Sequence, residues 1–280
     1  MNSLIVTLTT DWCSRDYFAA RVKGKLYSSL SGIRIVDLSH EQQQGEWGSL
    51  RDIIRLGCMS FPSGTIHIID IGCETTTRKL QVSADGSQHY IPKPVAISYK
   101  GQILICSEQR PLRWSIDSSP DVAVALALPS NVQSFGFLAA DLFCDVVIGL
   151  AKGSSLMDYG NPIEQFTPIP VSMINFNENG FDAKVMYVDN YGNAHLDITF
   201  EEFEQLRNNR HFKLDLYVRS GFNTRNDSIS SISRHYNDVM MGCLLLMVSY
   251  SGHLMIALNG GSAAQLFSLQ QNTPCHFSFL

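Results

Sequence analysis

The stretch Ser3-Leu-Ile-Val-Thr-Leu-Thr-Thr-Asp11 decides the fold. Its apolar and β-branched residues read as a buried strand, and the run stops at Thr10 and Asp11. The residues that follow repeat the theme. Phe18, Val22 and Leu26, four apart, mark one face of a helix, and Ile33–Leu38 reads as a second strand that runs into Ser39 and His40. Leu50, Ile53, Ile54 and Cys58 mark another helix face. Ile66–Ile69 reads as a third strand, ending at Asp70 and Gly72, and Gln102–Cys106 as a fourth. Ala139, Leu142, Phe143, Val146, Val147 and Leu150 give a further apolar face, with Gly153 placed to cap that helix. Strands alternating with helices predict an α/β N-terminal domain whose sheet is mostly parallel and covered on both faces.

The period changes after Asn161. Pro162, Pro168 and Pro170 break any helix. We place the first domain at 1–165, a linker at about 166–172, and a smaller all-β C-terminal domain, barrel or sandwich, at 173–280. In that second half Phe212, Leu214, Leu216 and Val218 alternate with Lys213, Asp215 and Tyr217. Cys243–Val248 and His253–Leu258 flank a Ser-Tyr-Ser-Gly turn and predict a hairpin. One helix is expected at Thr199–Arg207. The polar run Asn223–Ser233 reads as a mobile loop.

Bulk properties narrow the function classes. With 280 residues the chain can bury substantial cores, and 45% hydrophobic against 17% charged residues is ordinary for a globular protein. A net charge of −5 argues against nucleic acid or an anionic membrane as partner. The run Cys243–Val248 is too short to span a bilayer. The Met-Asn-Ser-Leu-Ile-Val-Thr start has neither the basic region nor the cleavage site of a secretory signal, and the seven cysteines show no CxxC spacing. We therefore expect a cytoplasmic protein with free thiols and no metal.

Open α/β sheets put their sites at the carboxyl ends of the strands. The first three strands deliver Thr10 and Asp11, Ser39 and His40, and Asp70 and Gly72 to that edge. Each Asp alone is an ordinary turn or helix-cap residue; their convergence favours a site. The phosphate loops GxGxxG and GxxxxGK[ST] are absent. In the second half, Tyr187-Val-Asp-Asn-Tyr-Gly-Asn193 and Asn259-Gly-Gly-Ser-Ala-Ala264 read first as turns, and the Gly260-Gly261 pair also lets backbone approach a flat ligand.

Taken in order, Thr7–Asp11, Ile35–His40, Phe61–His67, Tyr187–Asn193 and Ile256–Ala264 resemble the S-adenosylmethionine hydroxide adenosyltransferase family, which includes a fluorinase and a chlorinase. The resemblance spans nearly the whole chain. It implies a homotrimer with the nucleoside ligand held between the N-terminal domain of one subunit and the C-terminal domain of its neighbour. S-adenosylmethionine is then a substrate, and no cofactor is implied. Asp11 matches the carboxylate on the ribose hydroxyls, where two oxygens can accept from both diol protons. Asp16 and Asp189 match positions near the methionine amino group. Asn193 matches an adenine contact, Tyr236 an aromatic residue packed on adenine, and Asn259 to Ala263 the backbone of that pocket. Asp70 matches the carboxylate of an Asp, Arg and His set associated with activating water.

The chain departs from the family at the other two. Thr77 stands at the arginine position, with Arg78 next to it, and Leu138 stands at the histidine position in Phe137-Leu-Ala-Ala-Asp141. The resemblance favours hydrolysis to adenosine and methionine over halogenation, because a carboxylate at residue 70 repels a halide and Ala139 lacks the hydroxyl of the fluorinase. The alternatives are a nucleoside-binding protein with impaired turnover and a structural role on the same fold. Cys73, Glu74, His40, His67 and His195 are the candidate substitutes for the missing groups.

Overall fold

In a computed structural model, the structure describes residues 3–43, 45–72, 93–128, 137–170, 174, 176–216 and 227–280, and residues 81–82, 88–89, 217–220 and 223–226 by backbone alone. The chain divides into two compact units, Met1–Ile169 and Pro170–Leu280. The division falls inside the proline-containing stretch. Phe166 is buried in the first unit, and Arg113 ties Thr167 and Ile169 to it.

The first unit is a mixed α/β domain. Its strands are β1 (Ile5–Thr10), β2 (Arg34–Ser39), β3 (Ile66–Asp70), β6 (Val95–Tyr99), β7 (Gln102–Cys106), β8 (Val122–Leu126) and β9 (Gly160–Pro162). A short separate pair, β4 (Gln81–Val82) and β5 (Gln88–His89), lies between. The main sheet has the order β2-β1-β3-β7-β6-β8-β9. The first four strands in that order run parallel, and the rest pair antiparallel. The sheet is thus mixed, where sequence reading expected it mostly parallel. The cause is local. Lys100 and Gly101 adopt φ of 49° and 75°, a two-residue turn that can join only antiparallel strands. The turn makes Gln102–Cys106 the second arm of a hairpin.

Both faces of this sheet are covered. Helix α1 (Phe18–Ser29) lays Val22 and Leu26 against Val6, Leu8, Ile66 and Ile68. Helix α4 (Cys144–Ala151), entered through a π-helical turn at Ala139–Phe143, adds Phe143, Val146 and Val147 to the same core. On the other face Leu50 of α2 (Trp47–Asp52), Ile54 and Cys58 from the turns after it, and Leu112 of α3 (Gln109–Ser115) cover Ile69, Ile97 and Leu104. Strand β3 is the centre, with all five residues buried, and its side chains serve the two cores alternately.

The second unit is a mostly antiparallel sheet. It contains β10 (Phe176–Asn177), β11 (Gly180–Val188), β12 (Ala194–Thr199), β13 (Phe212–Ser220), β14 (Asn223–Ile229), β15 (Leu244–Val248), β16 (His253–Leu258) and β17 (Pro274–Phe279). The order is β14-β13-β17-β11-β12-β16-β15, with β10 on β11. Its edges nearly meet: Ile232, just past β14, bridges Leu246 of β15, and the Ser233 amide donates to the Leu246 carbonyl at 2.8 Å. The sheet therefore curls almost into a barrel around Phe181, Leu196, Phe203, Leu214, Ile256 and Phe277. Helix α5 (Phe200–Arg207) starts where Thr199 and Glu202 form a capping box. Helix α6 (Ala263–Phe267) is capped by Ser262. Asn223–Ile229, expected to be mobile, is an edge strand in full register with β13. An edge strand needs no apolar face to complete its backbone ladder, so its polarity concealed it.

Candidate functional site

The first cluster forms where β1 and β3 leave the sheet. Thr10 and Asp70 are register partners, so the residues just beyond them face the same edge. Cys13 sits at φ 60°, in the left-handed region, and turns the chain back along the sheet. Its amide donates to the His40 carbonyl at 2.7 Å, and the Gln42 amide donates to the Thr10 carbonyl at 3.1 Å. Thr10 Oγ1 lies 2.7 Å from His40 Nδ1. These bonds lock the exits of β1 and β2 together.

The same turn grips β3. Asp11 Oδ2 accepts from the Gly72 amide at 2.7 Å. Trp12 Nε1 donates to Asp70 Oδ2 at 3.2 Å. The Trp12 ring lies between His40, stacked at 6.0 Å, and Phe137, edge-on at 5.0 Å. Asp70 is wholly buried and Asp11 is half-buried. Ser107, at the exit of β7, donates to the Ile71 carbonyl at 3.3 Å and closes the edge on the other side. Two carboxylates thus stand at one strand edge, each bonded to an N–H from the other's loop. Such donors hold a carboxylate in place without cancelling its charge.

The second cluster lies in the β unit, in the turn between β11 and β12. Asp189 Oδ1 accepts from the amides of Tyr191 and Asn193, both at 2.9 Å. Its Oδ2 accepts from Asn193 Nδ2 at 2.9 Å and lies 3.2 Å from His195 Nε2. A carboxylate has about four acceptor positions, and this one fills them within its own turn. Burial alone raises the Asp189 carboxyl, but the His195 and Asn193 bonds outweigh it and hold it below the usual range. Asn193 Nδ2 donates also to the Tyr236 hydroxyl at 3.0 Å. Its neighbour Asp189 can only accept, so the Asn193 amide nitrogen must face it. Gly192, at φ 80°, lies so close to Ser262 that a Cβ there would stand 2.0 Å from its hydroxyl. The Gly192 carbonyl accepts from the Ala264 amide at 2.9 Å, so the turn and the start of α6 form one piece. Asn259 donates to the Val239 carbonyl, and Ala263 is fully buried.

Within their own units, then, Asp11 and Asp70 meet at one edge, and Asp189, Asn193, Tyr236 and Ala263 share one turn system. Asp16 is exposed, two residues before α1. Thr77, Arg78, Cys73 and Glu74 lie outside the described residues. Leu138 is wholly buried among apolar side chains. Asp141 caps its own helical turn, accepting from the Phe137 amide at 3.1 Å. His67 lies in the sheet, between Thr7 and Gln102, and burial pushes its pKa down to about 4. His195 stacks on Tyr187 at 4.4 Å and braces Asp189. Of the three candidate histidines, only His40 stands at the strand edge with Asp11 and Asp70. Sequence reading passed over Trp12, although its place directly after Asp11 at a strand end was a usable sign.

The fold and these two clusters define a class: an α/β domain with acidic groups at its strand ends, followed by a β unit with a preorganised amide turn. Family models for the SAM hydroxide adenosyltransferase N-terminal and C-terminal domains match residues 6–160 and 183–276, so the chain belongs to that family. It is 24% identical over 273 residues to an (R)-S-adenosyl-L-methionine hydrolase of Salinispora tropica, covering 94% of each chain. A protein of the same description from Salinispora arenicola is 25% identical over 270 residues, again covering 94% of each. Among solved structures, an uncharacterized conserved protein of Thermotoga maritima superposes with a TM-score of 0.71 at 18% identity, over 98% of this chain and 99% of that one. A conserved hypothetical protein of Thermus thermophilus gives 0.65 at 19% identity, over 99% and 100%. At such identities the two structures speak for the fold alone.

Proposed function

We propose that the protein binds S-adenosylmethionine and hydrolyses it to adenosine and methionine. Water oxygen attacks the ribose C5′ carbon and the C5′–sulfur bond breaks. Its electron pair stays on sulfur, so methionine leaves as a neutral thioether, and the proton lost by water passes to Asp70 and then to solvent. The observation that carries this reading is the buried Asp70 carboxylate, fixed beside Asp11 at the strand edge of a chain that matches both family domains. A carboxylate so placed can orient water and take its proton. Asp11 receives the ribose diol. Asn193 offers its carbonyl oxygen to the adenine amino group, Tyr236 packs on the base, and the Asn259–Ala263 backbone closes the pocket. Asp16 lies near the methionine amino group, and Asp189 acts there through the turn it organises. The ligand sits between subunits of a homotrimer.

The test is incubation of purified protein with S-adenosylmethionine, followed by chromatography for adenosine. Product above an Asp70→Asn control supports hydrolysis, and equal traces defeat it. Sedimentation velocity checks the trimer. One observation favours a second reading, a binding protein without turnover: the family's histidine position is Leu138, sealed in the core. Calorimetric binding of S-adenosylmethionine without adenosine formation selects it.

A further inference from the structure

A groove in the β unit has no part in the reading above. It has a volume of about 670 Å³ and is lined by helix α5 on one side and by the segment joining β14 to β15 on the other. We infer that this groove is a second ligand site, for an organic monoanion with an apolar body, a carboxylate or a sulfonate. Part of the lining is apolar: Phe200, Phe212, Ile232 and Val248. Phe200 and Val248 stay 40% and 38% exposed, so apolar surface stands open to water there. The rest is rich in donors. Arg207 and Arg234 line the groove with Ser230, Ser231 and Ser233. Arg207 Nε is buried and, among the described residues, has no hydrogen-bond partner. Nor, among the described residues, do the three serine hydroxyls.

The charge balance selects the ligand. Glu204 accepts from Arg207 Nη2 at 2.7 Å, so these two charges cancel. Asp238 is held by the Arg234 and His235 backbone amides, at 2.8 and 3.0 Å, and no carboxylate among the described residues pairs with the Arg234 guanidinium. One cation is thus left over, and it balances one negative charge. A guanidinium presents a planar fork of donors that fits a carboxylate, and a sulfonate offers the same pair of oxygens. A doubly charged phosphate would bring its second charge against Glu204. The volume lies within the roughly 300–1,000 Å³ of clefts that bind small molecules. The site is also separate from the turn assigned to the nucleoside. Thr199, just before Phe200, pairs with His253, and Val248 pairs with Leu254, whereas Asn193 and Asn259 stand beyond the other ends of these strands, where Ala194 pairs with Ile256 and Leu244 with Leu258.

The probe is anilinonaphthalene sulfonate, an aromatic monoanion whose fluorescence rises in apolar surroundings, set against its neutral parent phenylnaphthylamine. Titrated into the full chain, the anion should saturate at one per chain. The neutral parent should bind roughly 10-fold or more weakly, the range for losing a hydrogen bond to a charged group. Arg234→Gln should weaken the anion by about 10-fold and the neutral parent by less than about 2-fold. Phe200→Ser should weaken both. A second measurement guards against misfolded protein. Without ligand, the thermal midpoint of Arg234→Gln stays at the wild-type value, and saturating anion raises the wild-type midpoint but not that of the variant. Equal affinity for the two probes, or wild-type affinity for the anion in Arg234→Gln, overturns the inference. Displacement of the anion by S-adenosylmethionine also overturns it, because the probe then occupies the nucleoside site. Binding that falls as the chain concentration rises does so too, because a second copy of the chain then fills the groove.

Discussion

His67 offers a quantitative test of how the sheet beneath the site is built. The imidazole is fully buried in β3, three residues before Asp70. Gln102 donates from Nε2 to the Phe61 carbonyl at 2.7 Å, so its Oε1 faces His67 Nε2 at 2.5 Å and accepts the ring proton there. Nδ1 then accepts from Thr7 Oγ1 at 2.7 Å. The ring is neutral, and burial lowers its pKa from 6.5 to about 4. In the unfolded chain the same ring protonates near pH 6.5. Between those values the unfolded state binds more protons than the folded one, so stability is complete above pH 6.5 and falls as pH drops towards 4. A gap of about 2.5 pH units at 1.36 kcal/mol each amounts to about 3 kcal/mol, a large share of the 5–15 kcal/mol that holds a typical domain.

All three tryptophans, Trp12, Trp47 and Trp114, lie in the first unit, so their fluorescence reports its unfolding. Urea titrations from pH 7.5 to 4 on the wild type and on His67→Gln remove every other titrating group from the difference. The wild type should lose about 3 kcal/mol more than the variant across that range. Parallel stability curves would refute a neutral, desolvated His67.

Other substitutions test the turns around the two clusters. Cys13→Gly relieves a left-handed cysteine and should raise stability by about 0.5–1 kcal/mol, read as a higher thermal midpoint; a lower midpoint counts against the strained turn. Gly192→Ala drives a Cβ into Ser262 and should cost more than about 2 kcal/mol, together with a marked loss of S-adenosylmethionine affinity by calorimetry. Unchanged binding would separate that turn from the ligand. Leu138→His should not restore a family-like site. It places a polar ring in the core at a cost of about 2–4 kcal/mol, so denaturation and adenosine formation should both worsen.

Much of the α/β unit was legible because burial imposes a period. Val22 and Leu26 had to share a helix face, and Ile66, Ile68 and Ile69 had to lie in a strand covered on both sides. The mixed sheet was hidden in Lys100-Gly101, where a lysine occupies a left-handed position more often taken by asparagine or glycine. Asn223–Ile229 was hidden by its polarity, since backbone pairing to β13 leaves little trace in side-chain type. At the site, Asp11 and Asp70 followed from the strand-end rule. The role of Asp189 did not, because only the folded turn shows its carboxylate filled by Tyr191, Asn193 and His195.

The two clusters use carboxylates in opposite ways, and the contrast explains why one can do chemistry and the other can hold geometry. Asp189 is spent on its own turn. Its four contacts fix the Asn193 amide and, through it, the Tyr236 hydroxyl, so its value lies in rigidity. The contacts that Asp11 and Asp70 make with Gly72 and Trp12 come from neutral N–H groups, and these fix the oxygens without neutralising them. On the proposed reading, a substrate carrying a sulfonium charge is attracted to such an edge, and the charge disappears as the C5′–sulfur bond breaks. In the proposed reaction, negative carboxylates at this edge favour binding of the charged substrate and support removal of a proton from water.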